Sequence, residues 1–388
     1  MKGSTRLSVF VGFQSHSEFH DLKGVKSLLS SLGRHLLRKH NISLNVQYGK
    51  FPLGSTLWNE VTNAIRKSDI CIFDISENNP NVMIEVGLAL GLDRQVFLLK
   101  NKESERFSTP SDLRSFIYVT YPNRKKLNSS EMLSDLSEGF NNFIERAHKP
   151  EYLFKRIWGL EDNDSVTVIC TELDKPELRM HPEQNEFIYL SKYGDLDALV
   201  EVLTTLHRLY RNLRVGLFTG SEVKARRIPY TGNLILIGGP DYNAATRLFN
   251  KYVPYAYKRG DGGEHDIYLR DRRDKQVYYP KFARHSGHDE IRDFGFFLKM
   301  RNPRNLDKKI IMIGGSHTYG VYGAARAFSY EGDTREGIQY NNCKAVVDKL
   351  GFDPEFSSIF GVEGSDQTID IPVIELRLTR KLTHADPP

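Results

Sequence analysis

The chain has 388 residues, 39% hydrophobic and 27% charged, with a net charge of +5, which is enough length for two domains and an ordinary globular balance. No run approaches the ~18 apolar residues of a membrane span, and the amino-terminal MKGSTRLSVFVGF has no secretory apolar region, so a cytoplasmic protein without a membrane partner is expected. The mild positive charge gives no reason to expect a nucleic-acid partner, and Cys71, Cys170 and Cys343 are spaced as buried free thiols rather than as a disulfide or zinc framework.

Residues 6–13 form an apolar run that predicts a first strand. The loop that follows, with Gly12, Phe13, Ser15 and His16, lies where an open α/β sheet receives its ligand, although a solvated loop is an equal reading for Ser15 and His16. A helix is predicted from Phe19 to Lys39, then an alternating strand from Ile42 to Tyr48. Ser55 to Lys67 predicts a capped amphipathic helix with Trp58 in the core. Ile70–Asp74 is a buried strand, and Gln95–Lys100 is another. Between them, Asn79 is a good helix cap and Pro80 suits a first helical position, where no N–H is needed. Phe116–Tyr121 and the helix Met132–Ala147 close the region. This alternation predicts a parallel sheet with helices on both faces over residues 1–150.

One residue in the Pro80 helix is out of place. Val82, Val86, Ala89 and Leu90 mark its apolar face, and Glu85 falls on the same face. Gly87 beside it would admit another backbone or a ligand. A carboxylate among apolar neighbours is costly unless it is paired or does chemistry, and both readings are open. Asp74 ends its strand on the side where this helix begins. It is either a second functional carboxylate or a cap on the following turn. Ser76 and Asn81 lie near the helix N-terminus, where N–H groups favour an anion.

Asp74-Ile75-Ser76, Asn79-Pro80-Asn81-Val82 and Ile84-Glu85-Val86-Gly87-Leu88-Ala89, with the opening strand Leu7–Phe13, resemble the nucleoside 2-deoxyribosyltransferase-like group and its relatives, the bacterial TIR domains. The resemblance covers roughly residues 5–148. It implies a flavodoxin-like sheet and a helix-borne Glu, here Glu85, acting at the C1′ carbon of an N-ribosyl bond. It implies NAD or a nucleotide as substrate, no required cofactor, and a homo-oligomer. The group usually carries a Tyr in or after the first strand, and Phe10 and Phe13 stand there instead.

Residues 151–388 predict a second α/β domain. Ser165–Thr171 and Val215–Thr219 are strands, and Leu196–Arg211 is a strong helix. Two units then share one form. Asn233–Ile237 runs into Gly238-Gly239-Pro240, Asp241 and Asn243. Lys309–Ile313 runs into Gly314-Gly315-Ser316, His317, Thr318 and Tyr319. Each predicts a strand, a Gly-Gly turn and a helix, either for a phosphate or nucleotide or only for tight geometry. If the two strands are neighbours, both loops open on one cleft. Tyr255–Arg301 is basic and aromatic, suiting a phosphorylated ligand or a solvated surface. His265, His285 and His288 lack metal spacing, so no metal site is expected. Thr368–Leu378 alternates as a strand, followed by a disordered tail.

The combined expectation is a nucleotide-regulated N-glycosidase with a small nucleotide-like ligand in its second domain, a plan resembling prokaryotic antiviral defence effectors. The alternative is a non-catalytic nucleotide-binding or TIR-like adaptor protein. A third possibility is an enzyme that makes or modifies a signalling nucleotide.

Overall fold

A computed structural model describes residues 5–14, 17–19, 21–49, 57–92, 94–104, 107, 113, 118–127, 129–173, 192–261, 266–285, 288–332, 335–351, 354–365 and 368–382. The chain divides into two compact units, Met1–His148 and Lys149–Pro388. Ser15, His16, Ser55, Phe116, His265 and the tail after Leu382 lie outside the described residues, as do the side chains of His285 and His288.

Unit 1 alternates strand and helix: β1 (Thr5–Gly12), α1 (Leu22–His40), β2 (Ile42–Tyr48), α2 (Leu57–Lys67), β3 (Ile70–Asp74), α3 (Pro80–Gly91), β4 (Gln95–Asn101), β5 (Tyr118–Tyr121) and α4 (Ser130–Ala147). The strands form one parallel sheet in the order β2-β1-β3-β4-β5. Local chemistry sets the helix ends. Asp21 caps α1 through the Lys23 N–H, and Asn41 closes it in the left-handed conformation. Asn79 accepts from the Asn81 and Val82 N–H groups at the start of α3, with Pro80 in its first turn.

Side-chain alternation covers both sheet faces. Phe10, Cys71, Phe73, Val96 and Leu98 pack with Val61, Ile65, Val82 and Val86 of α2 and α3. Phe97 points the other way and stacks on Phe140 of α4, which packs against α1. Trp58 departs from expectation. It sits in the first turn of α2, ahead of the Val61–Ile65 stripe that meets the sheet, and is 50% exposed.

Unit 2 comprises α5 (Pro150–Trp158), β6 (Ser165–Cys170), α6 (Leu196–Leu209), β7 (Arg214–Thr219), α7 (Gly220–Ala225), β8 (Asn233–Ile237), α8 (Ala244–Phe249), β9 (Tyr255–Arg259), β10 (Ile267–Asp271), β11 (Val277–Tyr278), β12 (Lys281–His285), β13 (His288–Asn302), β14 (Asn305–Gly315), α9 (Thr318–Arg326), α10 (Ile338–Leu350), β15 (Phe356–Ser365), β16 (Thr368–Ile369) and β17 (Thr379–Lys381). The main sheet runs β16-β15-β13-β14-β8-β6-β7, with β12 beside β13 and β17 beside β15. A separate small sheet runs β11-β10-β9. β14, β8, β6 and β7 are mutually parallel, whereas β13 is antiparallel to both β14 and β15.

Alternation along β13 divides the core. Phe296, Leu298 and Met300 face the cluster of Leu234, Leu236, Phe249 and Tyr255. Phe297 faces Trp158, Phe328 and Phe356. The Trp158 indole N–H donates to the Phe328 carbonyl at 3.0 Å, which satisfies the one polar atom of a fully buried ring. The expected strand over Thr368–Leu378 is confined to Thr368–Ile369. Pro372 has no N–H to give a ladder, and Leu376–Leu378 forms a short 3-10 turn instead. All three cysteines are buried and free. Among the described residues no helix is long and apolar enough to cross a membrane.

Candidate functional site

In unit 1 the chain leaves β1 outward to β2 but leaves β3 the other way to β4. The crevice beyond the carboxyl ends of β1 and β3 is therefore where an open α/β sheet takes a ligand. Gly12 ends β1, beside Phe73 of β3 in register, and Asp74 is the next residue of β3.

Glu85, on the second turn of α3, reaches over this edge. Its Oε2 lies 2.6 Å from where a Cβ on Gly12 would stand, and the Phe73 ring closes the other side at 2.5 Å. A side chain at position 12 would force the carboxylate or the ring to move. Gly87, expected to make that room, faces open space with nothing within 4 Å. Glu85 is half-buried and takes no hydrogen bond or ion pair among the described residues. Burial pushes its carboxyl from the ordinary 4.5 up to about 7.

Asp74 behaves differently. It is buried, and both of its oxygens are engaged. Oδ2 accepts from the Tyr121 hydroxyl at 2.6 Å, and Oδ1 accepts from the Ser76 N–H at 3.0 Å. Ser76 belongs to the same network, its Oγ accepting from the Asn101 N–H at 2.8 Å. The Asn101 side chain continues it to the Phe19 carbonyl. Burial and the Asp74 charge push the Tyr121 hydroxyl up, which keeps it a donor. Asn81 is exposed, with its N–H spent on the Asn79 cap. Phe13 is half-buried just after β1. Asn79 also binds Gln14 at 3.0 Å, tying the loop after β1 to the start of α3.

Unit 2 brings its two Gly-Gly segments side by side, since β8 and β14 are parallel neighbours. They differ in kind. Gly238 has φ +90 and makes a true turn, pressed against Thr171 and Asp195. Gly314 and Gly315 are still strand, paired with Phe296 and Gly295. They are small because Gly315 meets the backbone of Gly320 and Val321, while Gly314 meets Phe296 and the Tyr257 hydroxyl. Gly239 lies under the Tyr257 ring.

The helix N-termini here are already filled. Asn243, fully buried, accepts from the Ala245 and Thr246 N–H groups and donates to the Ile169 and Ile237 carbonyls. It is a clamp between β6 and β8. At α9, the buried Asp293 carboxylate accepts from the Gly320 N–H at 2.6 Å and the His317 N–H at 3.2 Å. A carboxylate of the protein thus occupies the place expected for a phosphate. Burial pushes the Asp293 carboxyl up against these hydrogen bonds. Thr318 is exposed. His317 and Tyr319 gather around the half-exposed Phe282, with ring centroids 5.2 Å and 6.3 Å away.

The charged stretch is partly structural. Arg272 donates to the Val253 and Asn250 carbonyls, and Arg380 pairs with Asp271. Sequence reasoning missed Tyr121, Thr171, Asp195, Tyr257 and Asp293, because each gains its meaning from a partner at least 18 positions away. Among the described residues no group of three His, Cys, Asp or Glu could hold a metal ion. No protein-family model matches the sequence, and a search of curated proteins returned no match.

Proposed function

We propose that unit 1 is a flavodoxin-like, TIR-like N-glycosidase, acting on NAD or a related nucleoside or nucleotide, and that unit 2 regulates it by binding a small nucleotide-like ligand. The observation that carries this reading is the unpartnered Glu85 carboxylate, packed over Gly12 at the crevice where the sheet order turns. With a carboxyl near 7, a substantial fraction is ionised at neutral pH, and a desolvated carboxylate is a strong acceptor for developing positive charge.

In the proposed reaction a Glu85 oxygen attacks C1′, or stabilises its oxocarbenium character, on the face opposite the base. The C1′–N bond breaks and its electron pair leaves with the base. From NAD, nicotinamide leaves neutral and needs no proton; from a neutral nucleoside or nucleotide the departing base takes a proton from solvent. Water then adds at C1′, loses a proton to solvent and frees the carboxylate. Asp74, held by Tyr121 and the Ser76 N–H, fixes the strand end and the loop to α3 rather than reacting. No residue in this scheme needs a cofactor.

One observation favours the adaptor alternative. Both Asp74 oxygens are committed inside the unit, so Glu85 has no second free carboxylate from β3 to share the work. Chromatography of NAD, NADP, nucleosides and nucleoside monophosphates incubated with the full chain separates the two readings. Base release lost in Glu85→Gln supports the enzyme. Ligand binding without base release, unchanged by Glu85→Gln, supports the adaptor.

A further inference from the structure

The crevice at the carboxyl ends of the parallel strands in unit 2 has its own turning point. The chain leaves β6 toward β7 on one side, while β8 and β14 lie on the other side of β6. Asp195, the residue before α6, stands at that point. One of its oxygens accepts from the Thr171 hydroxyl at 2.6 Å, and Thr171 Oγ1 in turn accepts from the Asp195 N–H at 2.9 Å. The pair fixes the carboxylate against Gly238, and its second oxygen takes no hydrogen bond from the described residues. Asp195 caps no N–H of α6 with its side chain.

Two further polar atoms nearby are unspent. The Ser316 hydroxyl, on a residue only 6% exposed at the end of β14, has no partner among the described residues. The Tyr257 hydroxyl is buried above Gly314 near the Gly315 N–H and makes no well-formed hydrogen bond among the described residues. Buried polar atoms are rarely left so unless something else meets them.

The sign of the local charge selects the ligand. Asp195, Asp241 and Asp293 all act on Tyr257. The starts of α8 and α9 are filled by Asn243 and Asp293, and at the start of α6 stands the Asp195 carboxylate itself. A phosphate would meet carboxylates here, whereas a neutral group rich in hydroxyl donors would meet acceptors. A carboxylate beyond a strand end, with one oxygen anchored and one open, suits paired hydroxyls. We propose that unit 2 binds the vicinal diol of a ribonucleoside between the ends of β6 and β8, with Asp195 as its acceptor, Tyr257 beside it, and any phosphate directed away. This inference rests on the reading of unit 2 as a ligand-binding unit and is independent of the chemistry assigned to Glu85.

The test uses the full chain carrying Glu85→Gln, to prevent turnover. Adenosine, guanosine, cytidine, uridine and NAD are titrated calorimetrically beside their 2′-deoxy counterparts where these exist, and hydrogen exchange locates the protection. The expected result is binding of at least one ribosyl compound, with protection at β6, Asp195 and β8. Affinity falls about tenfold for the 2′-deoxy form and in Asp195→Asn, the loss of one hydrogen bond to a charged group. Excess orthophosphate does not compete. Tyr257→Phe removes only a hydroxyl without a well-formed partner, so it folds as stably as its parent and still weakens binding about fivefold.

Absence of binding, protection confined to unit 1, equal affinity for the 2′-deoxy form, competition by orthophosphate, or unchanged affinity in Tyr257→Phe would each overturn the proposal. Any of these with Glu85-dependent base release intact removes this inference alone. Base release that ignores Glu85 removes the proposed function and leaves the binding result standing.

Discussion

Replacing Glu85 with Gln should stabilise the protein, and the gain should depend on pH. The carboxyl titrates near 4.5 when free and near 7 in the fold because burial disfavours its charge. Between those values the native state binds more protons than the unfolded chain. Wild-type stability therefore falls as pH rises from about 4.5 to about 7, and is flat above. At about 1.4 kcal/mol per pH unit the full difference is about 3 kcal/mol. The site is partly open to solvent, and screening reduces this to about 1–2 kcal/mol. Gln is nearly isosteric and carries no charge. Its advantage should be near zero at pH 4 and reach about 1–2 kcal/mol by pH 8, a rise of roughly 3–6 °C in the transition of unit 1. Calorimetry of the full chain across pH measures this, with hydrogen exchange at β1 and β3 identifying the transition. An unchanged or lower melting temperature at pH 8 would show that Glu85 is satisfied in the native state, and the reasoning from desolvation would fall.

Three further substitutions test the surroundings. Gly12→Val puts methyl groups where Glu85 Oε2 and Phe73 stand; it should cost about 1–3 kcal/mol by overpacking and reduce base release more than tenfold, read by denaturant melts and turnover together. Tyr121→Phe leaves Asp74 Oδ2 without its hydroxyl donor and should cost about 1–3 kcal/mol in urea unfolding. Asn243→Ala removes a helix cap and one hydrogen bond to each of the Ile169 and Ile237 carbonyls, so it should lower stability by about 2–4 kcal/mol, seen as a lower guanidinium midpoint for unit 2.

Unit 1 was legible because its signals are local. Apolar periodicity and the Asn79-Pro80 helix start act within a few residues, so element types follow from short windows. Glu85 was legible for the same reason, as a charge on an apolar helical face. Its supporting glycine was not. Gly87 is its neighbour in sequence, but the parallel pairing of β1 with β3 brings Gly12 under it instead. Trp58 shows the converse error, an aromatic residue at helical spacing but in a turn ahead of the sheet contact.

Unit 2 was harder to read. The long hairpin of β13 and β14 was obscured because Lys299 interrupts the apolar run Phe294–Met300, and its buried ammonium donates to the Arg156 carbonyl. The β15 strand carries serines that pack inside a sheet and gave no alternation. The Gly-Gly pairs were visible, yet their difference lies in backbone shape. Gly238 turns with φ +90, whereas Gly314 and Gly315 stay extended under close backbone and ring contacts.

The most direct test of the central claim is the rate of base release from NAD and nucleosides over pH 5.5 to 9, for wild type and Glu85→Gln side by side. The expected result is release that rises with pH through an inflection close to 7, as the buried carboxyl ionises, and that is lost in the Gln variant at every pH. Release without that inflection, or release retained in Glu85→Gln, would contradict a catalytic Glu85.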